Sequence, residues 1–338
     1  MSLPPKQVEH GAMPIWSHDD RARHALQRTL RETVLGKISP GTRVIYESRV
    51  KPRFESEHGR PIADRSELRR EMEKEPYYQM HAAIQRVAQE LMWASVSRPL
   101  ASQLGELSER CRARPSDKGT LTLDPDFAVP DYITALDIHC MPGGYAADLS
   151  PDDVSTGVLF DKGGYIYASG RGGTLNESMG VVTVRYVQRE APDLKPMRIL
   201  DMGCTIGNST LPYCDAFPEA EIHAIDVGPS MLRYAHARAE ALGKAVHCSQ
   251  QNAERTTFED RSFDLIVSHI MMHEMPPDAV RNVLRESRRL LRPGGLMVHA
   301  DAGQYAAMDL YRQFIYDSEV YNNNEPYWST FRDLDLVD

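Results

Sequence analysis

No stretch of this sequence approaches the ~18 apolar residues that a membrane-spanning helix needs. The N-terminus carries no apolar run of the kind that marks a secretory leader. A membrane span is therefore not expected, and the expected compartment is the cytoplasm. Cysteine is scarce: Cys111, Cys140, Cys204, Cys214 and Cys248 are odd in number and never spaced C-x-x-C. That argues against a disulfide framework and against the common zinc patterns. Positive charge is in deficit, with 39 Lys and Arg against 48 Asp and Glu and a formal net charge of −9. A nucleic-acid partner is not expected, because phosphate binding is driven by Lys/Arg clusters. The Arg-rich patches at 21–31 and 65–70 are interleaved with acids and read as solvated helix faces.

What is present centres on Met197-Arg-Ile-Leu-Asp-Met-Gly-Cys-Thr-Ile-Gly-Asn208. It reads as a buried strand, a Gly turn and a helix opening, the ligand end of an open α/β sheet. Gly203 and Gly207 let backbone approach a ligand closely, and the first helical N–H groups favour an anion. A dinucleotide would require G-x-G-x-x-G. Counting from Gly203, the next two glycine positions hold Thr205 and Asn208, so a nicotinamide cofactor is disfavoured. The strand ends in Asp201, whose charge suits an amine-bearing or cationic ligand better than a pyrophosphate.

Asp201-Met-Gly-Cys-Thr-Ile-Gly207 resembles the first motif, D-x-G-C-x-x-G, of class I S-adenosylmethionine-dependent methyltransferases. Further blocks follow in order: Ile222-His-Ala-Ile-Asp226, Phe263-Asp-Leu-Ile-Val-Ser268, and Leu290-Leu-Arg-Pro-Gly-Gly295 leading into Leu296-Met-Val-His-Ala-Asp301. The resemblance covers roughly residues 180 to 305 and is closest to the small-molecule, quinone-biosynthesis-like group. It implies an α/β fold, a Rossmann-like doubly wound parallel sheet, with S-adenosyl-L-methionine as cofactor and a small molecule as substrate. It places Asp201, Gly203, Cys204 and Gly207 at the methionine end. Asp226 and Val227 fall at the ribose, where a carboxylate at a strand end accepts both hydroxyls; a helix N-cap is the other reading of Asp226. Met231 falls at the adenine face or in the core. Asn252 and Ala253 fall at the adenine edge, with Asn in place of the family's usual Asp, and Ser268 falls beside the reacting methyl. The D/N-P-P-Y motif of methyltransferases acting on amide or nucleobase nitrogen is absent.

The candidate chemistry lies in Ser268-His-Ile-Met-Met-His-Glu-Met-Pro276. Histidine is the side chain most easily poised as a base near neutral pH. His273 is the expected general base for O-methylation, with Glu274 or His269 as orienter. Transfer to an acidic carbon needs a base as well, and a non-catalytic interaction protein that keeps the cofactor fold is a further alternative. His269 and His273 are four apart, but no third ligand is evident and H-E-x-x-H is not matched, so no metal is expected. Asp301 flanks the same pocket from the fifth strand of the core.

Around that core, residues 1–135 read as a mainly helical N-terminal domain that caps the cleft or forms a homodimer. Within it, residues 1–16 read as a loose arm and Thr42–Val50 as a strand or extended arm. Tyr77 and Trp93 lie on a helical stripe, as core or as ligand contacts. Residues 136–180 form a Gly- and Tyr-rich lid or linker, with Arg171 a candidate partner for the cofactor's carboxylate. Residues 181–338 form the cofactor-binding core, and the stretch after Asp301 has no clear pair of final strands.

Overall fold

The computed structural model describes residues 6–113 and 118–336. Residues 1–5 of the stretch read above as an arm lie outside the described residues. Six strands form one parallel sheet: β1 Thr120–Thr122, β2 Arg198–Met202, β3 Glu221–Asp226, β4 His247–Gln250, β5 Phe263–His269 and β6 Leu291–Ala300. Their spatial order is β1-β4-β3-β2-β5-β6. The β3–β4 crossover helix Pro229–Ala241 packs on one face of the sheet and the β5–β6 crossover helix Pro277–Leu290 on the other. Both faces are covered, which is why Ile199, Leu200, Leu265, Ile266 and Val267 are buried in near-continuous apolar runs. The chain order reverses between β2 and β5, so a crevice opens at their C-terminal ends.

The helical N-terminus departs from expectation in two places. Residues 39–50 are helical, through Ser39–Ile45 and the π-helical turn Tyr46–Val50. Tyr46, Val50 and Phe54 fall at i, i+4 and i+8 and are all buried, with Leu68, Met72, Tyr78, Tyr311 and Phe314, in one cluster. That tertiary contact overrides the β-branched composition of Thr42–Val50. Residues 6–16 are not loose either: Ala12, Met13 and Trp16 are buried. Gln7 Nε2 donates to Asp161 Oδ1 at 3.0 Å, and His10 Nε2 lies 3.2 Å from Asp161 Oδ2.

Two other segments connect the N-terminal helices to the sheet. The short strand β1 pairs in parallel with β4 at the sheet edge. Within 136–180, helix Ser155–Tyr167 is largely buried, packing Val158, Leu159 and Ile166 with Trp93, Met231 and Tyr234. Asp161 at its centre accepts from Tyr234 at 2.9 Å and pairs with Arg238 at 3.3 Å. After β6 the described chain forms helices Leu310–Asp317, Glu319–Asn322 and Trp328–Arg332 in place of further strands. The first of these packs on the N-terminal helices, and Phe331 of the last packs under the sheet end with Met271, Met272 and Met275.

Candidate active site

One cavity of about 420 Å³ opens at the C-terminal ends of β2, β3 and β5. That volume is in the range of small-molecule sites. Asp201 lies at its base, its Oδ2 accepting from Thr210 Oγ1 at 2.5 Å and its Oδ1 lying 3.3 Å from His269 Nδ1. Gly203 follows with φ +71; a Cβ there would meet Met271 Sδ at 2.5 Å. Only glycine fits both that conformation and that space.

Asp226 ends β3 on the cavity wall and is 7% exposed. Its Oδ2 accepts from Thr205 N at 2.8 Å and its Oδ1 from Gly228 N at 2.9 Å. Burial pushes its pKa up from 3.8, and the N–H groups of Gly228, Thr205 and Val227 only partly counter this. Hydroxyl donors from the cavity would favour the charged form further. The Thr205 N–H points at this carboxylate, so it is not free to cradle a pyrophosphate.

Of the other expected cofactor residues, Cys204, Val227, Asn252 and Ala253 line the cavity. Asn252 Oδ1 also accepts from Glu254 N at 2.8 Å. Four, Met231, Ser268, Arg171 and Gly207, are not brought to the cavity wall. Met231 is fully buried in the core with Tyr234 and Ile206. Ser268 is buried against His299, Oγ to Nδ1 2.8 Å. Arg171 is exposed, its Nε contacting Ala168 O at 3.4 Å, so it points to solvent and not to the cavity. Gly207, at φ +71, shapes the turn behind the wall. Trp93 lines the cavity, whereas Tyr77 donates to Ile38 O at 2.9 Å elsewhere.

At the other end stand His273 and Glu274, on a 3-10 turn after β5. His273 Nδ1 lies 2.6 Å from Asp301 Oδ1, so Asp301 orients the ring from that side. His273 Nε2 faces Glu274 Oε1 at 3.5 Å. Burial opposes the charge on His273, but Glu274 and Asp301 outweigh it and push its pKa up to about 10. Burial would raise Glu274, yet His139 and His273 hold it well below 4.5. His269 is tied on both sides, to Asp201 and to Tyr213 Oη at 3.1 Å.

Two residues here carried no motif. His139 Nε2 lies 3.0 Å from Glu274 Oε1, and its Nδ1 lies 2.7 Å from Glu325 Oε1. Nothing in spacing links positions 139, 273 and 325; only the Asn- and Glu-containing turn before Pro326 hinted at Glu325. Aromatic side chains Trp93, Tyr132, Tyr145, Phe160, Tyr167 and Trp328 form the rest of the wall.

Residues 199–295 match the family described as methyltransferase domain. A tRNA N(3)-methylcytidine methyltransferase of Drosophila melanogaster is 29% identical over 121 residues, 33% of this chain and 36% of that protein. A malonyl-[acyl-carrier protein] O-methyltransferase of Halorhodospira halophila is 28% identical over 130 residues, 36% of this chain and 43% of its own. A trans-aconitate 2-methyltransferase of Methylobacterium radiotolerans is 35% identical over 112 residues, 33% and 38%. The match spans about two fifths of the length of such relatives. The family match, residues 199–295, begins after His139 and ends before Glu325.

Proposed function

We propose that this chain, whose residues 199–295 match a methyltransferase domain family, is a class I S-adenosylmethionine-dependent enzyme that methylates a small acceptor, and that the acceptor atom is oxygen. One observation carries the reading: a single cavity joins Asp201, Gly203 and Asp226 at one end to His273 and Glu274 at the other. The donor set at the first end fits the cofactor. Asp201 faces its cationic, amine-bearing end, bare backbone at Gly203 admits close approach, and Asp226 offers a buried carboxylate to the ribose hydroxyls. When bound, S-adenosylmethionine supplies an activated methyl on a sulfonium leaving group.

The chain's own work is to hold, align and deprotonate the acceptor. Holding the two reactants in line contributes on the order of 7–11 kcal/mol in favourable cases. The aromatic wall suits an acceptor with a flat, apolar body and excludes water. The polar face directs one oxygen at the His273–Glu274 cluster. There Glu274 Oε2, buried without a partner, can accept the acceptor's O–H hydrogen bond as the proton leaves, and assistance of this kind contributes ~10²–10⁴-fold where a base is positioned. Without a cation in the cluster His273 is held protonated by Glu274 and Asp301, so the cluster, not His273 alone, is the functional group. Gln89 and Trp93 from helix Pro76–Ala101 line the same cavity, which supports a capping role for the N-terminal helices.

The test is transfer of labelled methyl from S-adenosylmethionine to a panel of phenolic and carboxylic small molecules. Glu274→Gln is expected to lower kcat at least 100-fold while S-adenosylhomocysteine still binds. Transfer undiminished in Glu274→Gln would refute the role given to the cluster.

A further inference from the structure

We propose that His139, His273, Glu274 and Glu325 form a binding site for one divalent first-row transition metal ion at the acceptor end of the cavity. Donor atoms of the four side chains all lie within 4.8 Å of one another. They come from three separate parts of the chain: the turn Ile138–Cys140, the turn Met272–Glu274, and the loop before helix Trp328–Arg332. Ligands about 2.0–2.2 Å from a common ion must stand roughly 3–4 Å apart. His139 Nε2 to Glu274 Oε1 is 3.0 Å, His273 Nε2 to that oxygen 3.5 Å, and His273 Nε2 to Glu325 Oε2 4.0 Å.

Proximity is not the only sign. Glu274 Oε2 and Glu325 Oε2 are buried without a hydrogen-bond partner, in residues that are 6% and 3% exposed. Buried polar atoms are nearly always satisfied, so two open carboxylate oxygens in one cluster point to a missing cation. Each histidine also has its far nitrogen held. His273 Nδ1 meets Asp301 Oδ1 at 2.6 Å, and His139 Nδ1 meets Glu325 Oε1 at 2.7 Å. Such outer contacts fix the orientation of metal-binding imidazoles. His139 and Cys140 both have φ +56, a conformation that non-glycine residues rarely adopt. Trp93 Nε1 and Gln89 Nε2 clamp the His139 carbonyl at 2.8 and 3.0 Å. Backbone held in this way, beside a cavity, is where function stores strain.

Two imidazoles and two carboxylates favour Zn²⁺, Fe²⁺ or Mn²⁺ over Mg²⁺ and Ca²⁺, which prefer all-oxygen sets. The role, unlike the binding, rests on the methyl-transfer reading. An ion here holds the acceptor oxygen and lowers its pKa. The O–H proton leaves to water, the C–O bond forms, and the C–S bond breaks with the pair retained by sulfur.

The experiment uses the full chain, freed of metal with EDTA and titrated calorimetrically with ZnCl₂, MnCl₂ and MgCl₂. We expect one equivalent of Zn²⁺ or Mn²⁺ to bind and Mg²⁺ not to compete. Glu325→Gln and His139→Ala should each weaken binding at least 10-fold, and exposed His18→Ala should not change it. Far-UV circular dichroism and S-adenosylhomocysteine binding report whether each variant is folded. Should a variant unfold, Co²⁺ added to the unmodified chain decides, by visible d–d bands that Zn²⁺ abolishes. No stoichiometric binding, no such bands, or equal binding in folded ligand variants overturns the proposal. No metal binding by the unmodified chain, with its S-adenosylhomocysteine binding intact, sinks this site alone. Metal binding without S-adenosylhomocysteine binding sinks the methyl-transfer reading and leaves the site.

Discussion

Two adjacent glycines in helix Ser155–Tyr167 face different surroundings, and alanine at each should act with opposite sign. A Cβ on Gly163 would collide with the six-membered ring of Trp93, whereas on Gly164 the nearest atom is Asn176 Nδ2 at 3.9 Å. Either substitution gains about 1 kcal/mol of helix propensity. At Gly164 nothing opposes the gain, so Gly164→Ala should stabilise by up to about 1 kcal/mol. At Gly163 the buried indole must move, and overpacking of this kind costs about 1–3 kcal/mol. Moving Trp93 also strains its hydrogen bond to the His139 carbonyl, worth about 1 kcal/mol. Gly163→Ala should therefore destabilise by roughly 1–3 kcal/mol net, and it should disturb His139 while Gly164→Ala does not. The assay is equilibrium unfolding in urea, read as a shift in midpoint at constant slope. Stabilisation by Gly163→Ala, or equal shifts for both variants, would refute the packing argument.

The remaining predictions concern charge. Buried His24 donates from Nε2 to Ser95 O at 3.1 Å, packs edge-on against Trp16 and has Lys162, Asp20 and Arg23 nearby. Burial, reinforced by Lys162, lowers its pKa from 6.5 to about 4. The unfolded chain then binds the proton first, so this contribution is complete above about pH 6.5 and is lost as pH falls toward 4. It amounts to at most about 3 kcal/mol, and His24→Gln should flatten stability measured between those limits. His299 is lowered to about 4 by burial and adds a slope of the same sign.

Much of this architecture was legible. The strand–turn–helix alternation from 197 to 301 and its acids at strand ends place β2 to β6, because period and glycine punctuation are local properties. What was not legible depends on contacts distant in sequence. Thr42–Val50 looks extended by composition and is helical because Tyr46, Val50 and Phe54 meet Tyr311 and Phe314. β1 is three residues long and shows no period; only its pairing with β4 defines it. His139 and Glu325 sit in unremarkable turns and gain meaning by meeting Glu274. Arg171, beside glycines and tyrosines, has the composition of a ligand contact, but its side chain lies on the solvent side.

At the centre stands the assignment of the cavity under Asp201, Gly203 and Asp226 as an S-adenosylmethionine site. It is tested most directly by calorimetric titration of S-adenosylhomocysteine, beside NADH, into the unmodified chain and Asp226→Asn. The variant keeps the shape but sets an amide NH₂ against the N–H of Thr205 or Gly228 and gives up charged acceptance. Charged and neutral hydrogen bonds differ by about 1–2 kcal/mol each, so two ribose bonds amount to about 2–4 kcal/mol, or roughly 30- to 1,000-fold in Kd. Micromolar binding of S-adenosylhomocysteine, none of NADH, and that loss in Asp226→Asn is the predicted result. No binding by the unmodified chain, or equal binding by the variant, would contradict it.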